Sequence, residues 1–224
     1  TGGLNDDQLR RLTERLTYLR NLDARLENVL SLIEAQGKLT DEIRDALANA
    51  QTVTEVDDIY RPFRPKRKTR ASVAKERGLE PLANLIFSQK SEYDKDLHEE
   101  ASLFTNEEKG VPDADAAIAG ACDIIAEMIS DDASFRREIR GLTRKFGTIE
   151  SKKIADGPVY EQYYDYEEKI STIPSHRILA INRGEKEGVL KVSVNIERDI
   201  ILNYLLNAVV TDFKSPAFSF ISST

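Results

Sequence analysis

A basic stretch punctuated by prolines, residues 60–81, constrains the fold of this chain more than any other part of its sequence. Pro62 and Pro65 each fix their own φ angle and bias the residue before them away from helix. We therefore expect an extended approach and a helix that begins only after Pro65. Thr69 is a suitable N-cap for that helix, and Gly78 can end it in a left-handed conformation.

A second helix is expected directly after this turn, with Pro81 in its first turn, where the missing N–H is not needed. The spacing of Ala74, Gly78 and Leu79 resembles the middle of a helix-turn-helix unit, in which a small residue lets two helices approach. The pattern by itself also fits many helical hairpins. The stretch therefore predicts a helix-turn-helix-like unit.

The same stretch is an island of positive charge. Residues 61–77 contain eight basic residues and one acid, a net charge of +7 in a chain whose net charge is −7. Lysine and arginine neutralise phosphates and release counterions without needing a pocket or a fixed spacing. The alternative is a solvated helix entry that pairs with the chain's own acids, such as Asp57 and Asp58. The candidate phosphate contacts are Arg64, Lys66, Arg67, Lys68, Arg70 and Lys75.

A second basic face is predicted further along the chain. Arg137, Arg140 and Arg144 follow one another at steps of three and four, so they share one side of a helix. Lys145 flanks them. These four residues are the remaining candidates for contact with nucleic acid.

The hydrophobic pattern predicts a mainly α chain. From residue 5 to residue 36 leucine, valine and isoleucine recur at steps of three and four, with Asn5 and Gln8 as a capping box and Gly37 as the end. An intramolecular antiparallel partner is favoured over a coiled coil with another chain. Further helices are predicted at 41–50, at 55–59 with Thr54 as the cap, and at 94–104 with Leu97 and Leu103 facing inward. Later helices are predicted to start after Asp113 and at residue 131 or 132, and to span 175–183, where Gly184 ends the helix, and 199–210. One strand is predicted at 189–194.

The residues that usually carry chemistry are sparse. His98 and His176 are the only histidines, neither stands in a recognisable nucleophile motif, and no phosphate loop, zinc pattern or calcium loop is present. We expect no enzyme, cofactor, metal site or small-molecule substrate. A single cysteine, Cys122, favours a cytoplasmic location, and no apolar run approaches the roughly 18 residues of a membrane span. Tyrosines cluster at residues 160–166. The sequence is compatible with two interpretations of this cluster, a docking surface and the edge of a core.

Three segments resemble one protein family. The segments are residues 60–83 (YRPFRPKRKTRASVAKERGLEPLA), residues 1–10 (TGGLNDDQLR) and residues 173–177 with 182–190, and they resemble the Tex family of bacterial transcription accessory proteins. The resemblance implies a multi-helical N-terminal region. We expect three parts, which are N-terminal helices at 1–56, the helix-turn-helix-like basic unit at 57–110 and a helical region with a short strand at 111–224. The resemblance also implies a fragment without the family's RNase H-like, helix-hairpin-helix and C-terminal OB-type RNA-binding domains.

Two functions follow as hypotheses. In the first, the chain binds RNA or DNA by its phosphates without sequence preference. In the second, it is a scaffold and protein-interaction region that positions other domains, docks the transcription machinery and binds little nucleic acid itself. An exposed helix face with leucine or tyrosine would favour the second hypothesis.

Overall fold

The computed structural model describes residue 3 and residues 5–65, 68–89 and 97–223. Lys66 and Arg67, two of the predicted phosphate contacts, and the predicted helix start at Asp94 lie outside the described residues. The chain forms two compact units. Unit 1 comprises the described residues of Thr1–Leu85 with His98–Arg136, and unit 2 those of Ile86–Leu97 with Arg137–Ser223. The division at residues 56 and 110 stays a prediction.

The described residues are mainly helical, with one small antiparallel sheet in unit 2, as predicted. The helices are α1 (Asp6–Glu34), α2 (Asp41–Ala48), α3 (Val53–Tyr60), α4 (Arg70–Glu76), α5 (Glu80–Ser88), α6 (Leu97–Ser102), α7 (Ala114–Asp131), α8 (Ala133–Phe146), α9 (Ser175–Lys186), α10 (Arg198–Val209) and α11 (Phe218–Ser223). The strands are β1 (Thr148–Lys153), β2 (Asp165–Lys169) and β3 (Leu190–Asn195). No helix in the described parts of the chain is long and apolar enough to cross a membrane.

Helix α1 begins and ends where the sequence predicts. The Asn5 side chain accepts a hydrogen bond from the Gln8 N–H, and the Gln8 side chain accepts one from the Asn5 N–H, which completes the capping box. Gly37 follows the helix with a φ of +66°. Only the second half of α1 is anchored, because Leu22, Val29 and Ile33 are buried against α2 and α3 in the core of unit 1.

The start of α3 differs from the prediction. Thr40 caps α2 as expected, but Thr52, not Thr54, caps α3. The hydroxyl of Thr52 accepts from the Glu55 N–H, while the Glu55 carboxylate accepts from the Thr52 N–H. Thr54 has no glutamate three residues on, so Thr52 provides the better capping box.

The approach to α4 is also different from the prediction. Residues Arg61–Phe63 form a 3₁₀ turn that continues from α3, with Pro62 in its first turn, where proline needs no hydrogen-bonded N–H. Arg64, the residue before Pro65, is extended, and so is the N-cap residue Thr69. Thr69 caps α4 as predicted.

A glycine turn joins α4 to α5, as the sequence predicts. Gly78 has a φ of +88°, and Leu79 behind it is fully buried. The small residues of α7 let this turn approach closely, since a Cβ on Gly120 would stand 2.4 Å from Leu79 Cδ1 and 3.4 Å from Ala74 Cβ. Likeness to a DNA-binding helix-turn-helix stays a prediction, because the turn geometry alone does not test it.

The prediction for α6 is confirmed at Leu97 and wrong at Leu103. Leu97 is buried, but Leu103 is among the most exposed apolar side chains of the described chain, because α6 ends at Ser102 and Leu103 falls in the turn that follows. Asp113 caps α7 as predicted, and the carboxylate of Asp132 accepts from the N–H groups of Ser134 and Phe135 at the start of α8.

The sheet has the strand order β2-β1-β3, and only β3 is predicted by the sequence. Ile149 lies opposite Glu168 on β2 and Val194 on β3, and Ser151 lies opposite Tyr166 and Val192. Residues directly opposite in an antiparallel pair share a face. Ile149 and Ser151 are buried and define the inner face, which contributes to the core of unit 2.

Helix α9 ends later than predicted. Gly184 does not close it but lies inside it, where an added Cβ would stand 2.6 Å from Leu190 Cδ1. The left-handed residue after the helix is Gly188, with a φ of +73°. Tyr160 and Tyr163 are buried in the core of unit 2, so these two tyrosines of the 160–166 cluster belong to a core.

Candidate nucleic-acid interface

The basic segment, residues 61–77, faces an acidic stripe on α7 in unit 1. The stripe consists of Asp123, Glu127 and Asp131, each four residues from the next and therefore on one side of the helix. Its ion pairs are Arg70 Nε to Asp123 Oδ1 at 3.3 Å, Lys75 Nζ to Glu127 Oε2 at 3.7 Å and Arg61 Nε to Asp131 Oδ1 at 2.9 Å. Part of the positive charge of the segment is thus balanced inside the fold.

The helix cap of α4 takes part in the same contact. The hydroxyl of Thr69 lies 3.1 Å from Glu127 Oε1, and the same hydroxyl accepts from the Ser72 N–H. Thr69 therefore joins the start of α4 to the acidic stripe. Close packing beside Gly120 and the ion pairs along the stripe both hold α4 against α7.

A second buried ion pair joins α8 to α3 in unit 1. Arg136 at the start of α8 donates from Nε to Asp58 Oδ1 at 2.7 Å. Asp58 and Asp131 are both almost fully buried, so Arg136 and Arg61 each compensate a carboxylate that water does not reach freely. These two arginines serve the fold of unit 1.

The outer cations of the basic segment remain accessible. The side chains of Arg70 and Lys68 are 87% and 72% exposed, and Lys68 lies 3.9 Å from Glu76, itself exposed. Exposed pairs of this kind contribute about 0–1 kcal/mol and exchange readily. Arg64 is exposed and makes no ion pair with another described residue. Arg64, Lys68 and Arg70 can therefore meet a phosphate, whereas Lys75 is half covered and paired with Glu127.

The α8 basic face, Arg137, Arg140, Arg144 and Lys145, lies in unit 2. Arg137, Arg144 and Lys145 are exposed and Arg140 is half-buried. Arg137 Nε lies 3.8 Å from Glu138, and Lys145 Nζ stands 4.9 Å from the centre of the Phe146 ring. Arg144 and Lys145 occupy the last turn, where positive charge also stabilises the helix dipole by about 0.3–1 kcal/mol. The structure therefore presents the predicted face to solvent.

A polar cluster fixes α9 to β2 in unit 2. The Tyr166 hydroxyl donates to Glu168 Oε2, and Arg177 Nη1 donates to both, at 3.1 Å and 2.9 Å. The hydrogen bonds from Tyr166 and Arg177 lower the pKa of Glu168, whereas burial and the bond to Glu168 raise the pKa of Tyr166. Sequence reasoning misses this cluster, because β2 is too polar to be recognised as a strand.

The two histidines lie on other helices, His98 in α6 and His176 in α9. His98 Nε2 stands 3.2 Å from Asp115 Oδ1, and His176 is exposed in the first turn of α9. No group of three histidine, cysteine, aspartate or glutamate side chains suited to hold a metal ion occurs among the described residues. Neither histidine belongs to the basic segment or to the α8 basic face.

The acidic stripe is the part of the site that sequence reasoning overlooks. The sequence suggests Asp57 and Asp58 as partners of the basic segment, whereas among the described contacts Asp57 pairs with Arg25 and Asp58 with Arg136. The signal is nevertheless present, because acids spaced by four on a helix form a continuous negative row. Such a row, opposite a basic stretch, predicts internal neutralisation.

Comparison with known proteins supports the family that the sequence resembles. The Tex central region-like family model matches residues 92–212, more than half of the chain. The chain is similar to the uncharacterized protein YdcI of Bacillus subtilis, at 45% identity over 94% of the chain. It is also similar to the transcriptional accessory protein Tex of Neisseria gonorrhoeae, at 39% identity over 89% of the chain, and to human S1 RNA-binding domain-containing protein 1, at 29% over 86%.

These relatives are much longer than the match. The chain covers 30% of the Bacillus protein, 26% of the Neisseria protein and 20% of the human protein. The basic segment precedes the residues matched by the family model, and the α8 basic face lies within them. The match of the family model across more than half of the sequence shows that this chain belongs to the Tex family.

Proposed function

We propose that this chain is a non-catalytic, nucleic-acid-binding part of a transcription accessory protein, and that it holds RNA or DNA by its phosphates. The observation that carries the proposal is the α8 basic face, where three of four predicted cations are exposed on one helix. Relatives whose names refer to transcription and to an S1 RNA-binding domain support the same proposal. The bound strand is read by charge, so sequence preference is weak.

The exposed cations of the basic segment form a second, weaker contact in this proposal. Arg64, Lys68 and Arg70 are accessible, although Arg70 also pairs with Asp123, while Arg61 and Lys75 are more deeply engaged with the acidic stripe of α7. The net positive charge available to a phosphate backbone is therefore smaller than the sequence count of +7 suggests. We expect the α8 basic face to dominate the affinity.

The test is fluorescence anisotropy with labelled single strands and duplexes of RNA and DNA, across a salt series. Each phosphate neutralised adds about 0.7 to the slope of log affinity against log salt for a single strand and about 0.9 for a duplex. The triple variant R137E/R144E/K145E should weaken binding and reduce the slope by about two to three. Arg140 is left unchanged because it is half-buried.

A matched control separates a local contact from a change in net charge. The variant K169E/K186E/K191E changes the charge equally at exposed lysines of the same unit. It should weaken binding much less than R137E/R144E/K145E. Equal losses from both triple variants would refute a binding face on α8. The variant K66E/R67E/K68E tests the basic segment in the same assay.

A scaffold that binds little nucleic acid is the second candidate. The pairing of Arg61, Arg70 and Lys75 with the acidic stripe favours it, because those cations then hold α4 on α7. Exposed leucines on α1 favour it as well. Absence of binding to every strand at low salt would select this candidate over the first.

A further inference from the structure

The first half of α1 carries apolar side chains that the described chain does not cover. Leu9, Leu12, Leu16 and Leu19, the leucine stripe, are 38–60% exposed. The second half of the same helix buries Leu22, Val29 and Ile33 in the core of unit 1. Helix α1 is therefore anchored in the core by its second half, while the leucine stripe on its first half is exposed to solvent.

The spacing of the leucine stripe matches the seam of a helix pair. Its members follow at steps of three, four and three, which are the a and d positions of a heptad. A stripe that served only the core of unit 1 would need apolar residues only from Leu22 onward. The stripe thus presents about two heptad repeats of knobs for another helix.

Charges at the edges of the stripe restrict the partner. Arg10 and Arg11, on the far side of the helix, pair with Asp7 at 2.7 Å and 3.0 Å. Arg15 and Arg20 occupy the g and e positions beside the leucines, and neither makes an ion pair with another described residue. Arg15 lies over the Tyr18 ring. The edges of the stripe are accordingly cationic.

We propose that the leucine stripe of α1 docks an acidic amphipathic helix from a partner protein, with leucine-like residues at its seam and glutamate or aspartate beside them. A second copy of this chain fits poorly, because a parallel pair would bring Arg15 against Arg20 of the other copy and an antiparallel pair would bring Arg15 near Arg15. Like charges at these positions oppose pairing. The proposal is independent of nucleic-acid binding.

The experiment uses the whole 224-residue chain and two synthetic helical peptides of three heptads. Both peptides carry leucine at a and d, and one carries glutamate at e and g while the other carries lysine. Titration calorimetry should detect the glutamate peptide at least about tenfold more tightly than the lysine peptide. The charge-reversed chain R15E/R20E should invert that order. A preference that persists unchanged in R15E/R20E would overturn the proposal.

Two further variants identify the surface. L12Q/L16Q keeps good helix formers and should weaken the glutamate peptide at least tenfold, whereas L179Q, at an exposed leucine of α9, should change nothing. Circular dichroism checks that both variants stay helical. Equal binding by L12Q/L16Q, or a stable dimer of the chain in sedimentation that L12Q/L16Q abolishes, would contradict the proposal. The nucleic-acid assay should respond to neither variant.

Discussion

Arg136 at the start of α8 and Asp58 in α3, 78 residues apart, form a 2.7 Å hydrogen-bonded ion pair in the interior of unit 1. Asp131, in the last turn of α7, forms the companion pair with Arg61 at 2.9 Å. Arg61 belongs to the basic segment and Arg136 directly precedes the α8 basic face, yet each compensates a buried carboxylate. Charge counts along the sequence therefore overestimate the cations that are available to a ligand.

Replacing Arg136 should destabilise unit 1. In R136A the buried Asp58 carboxylate loses its arginine, and the free energy of unfolding should fall by about 2–4 kcal/mol. The control R137A removes an adjacent, exposed arginine and should change the free energy of unfolding by less than about 0.5 kcal/mol. Urea unfolding followed by circular dichroism measures both. Similar losses in the two variants would show that the Arg136–Asp58 pair contributes no special stability.

Two helical glycines should respond to alanine with opposite signs. In G120A the new methyl group would stand 2.4 Å from Leu79 Cδ1, and the fully buried Leu79 has little room to move, so we expect a loss of about 1–3 kcal/mol. In G141A the methyl group meets nothing within 4 Å, and α8 should gain about 0.5–1 kcal/mol. Thermal and urea unfolding provide the comparison. A neutral G120A would mean that α4 and α7 pack more loosely than described.

The polar cluster of unit 2 should give a pH-dependent stability. The pKa of Glu168 is lowered from 4.5 by the hydrogen bonds from Tyr166 and Arg177. The contribution of the ionised Glu168 to the free energy of unfolding is therefore present in full above about pH 4.5. It is lost as the pH falls through the lowered pKa that Glu168 has in the folded state. The wild-type chain should be more stable than E168Q at pH 7, and their unfolding midpoints should converge in acid.

Glu167 provides the control for this effect. It is the neighbouring residue on β2, is exposed on the opposite face of the sheet, and takes no part in the cluster. E167Q should stay close to wild type at every pH. If E167Q and E168Q showed the same pH dependence, the cluster could not be its source.

The acidic stripe of α7 should restrain the basic segment. D123N removes the partner of Arg70, so low-salt affinity for a single strand should rise about two- to threefold if the segment contacts phosphate. D115N changes the net charge equally on the same helix, but Asp115 pairs with His98 and not with the segment. Anisotropy titrations compare the two. Equal effects of D123N and D115N would indicate that only net charge matters.

The sequence by itself determines the elements whose signals lie within four residues of one another. Asn5 with Gln8, Thr40, Thr69, Asp113, Gly37 and Gly78 set helix boundaries where the structure has them, because capping bonds and left-handed turns are local. Errors arise where two local signals compete. Thr52 prevails over Thr54 through Glu55, and Gly188 replaces Gly184 as the end of α9 because Gly184 packs against Leu190.

Only the tertiary structure decides what those elements do. β1 and β2 are too polar to be recognised alone and exist because their backbone groups pair in the sheet. The leucine period of α1 is continuous, but contact with α2 and α3 buries its second half and leaves Leu9 to Leu19 exposed. Likewise the positive charge of residues 61–77 is fixed by the sequence. How much of it a phosphate can reach depends on α7, whose acids lie 50 or more residues away in the sequence and within about 4 Å in the fold.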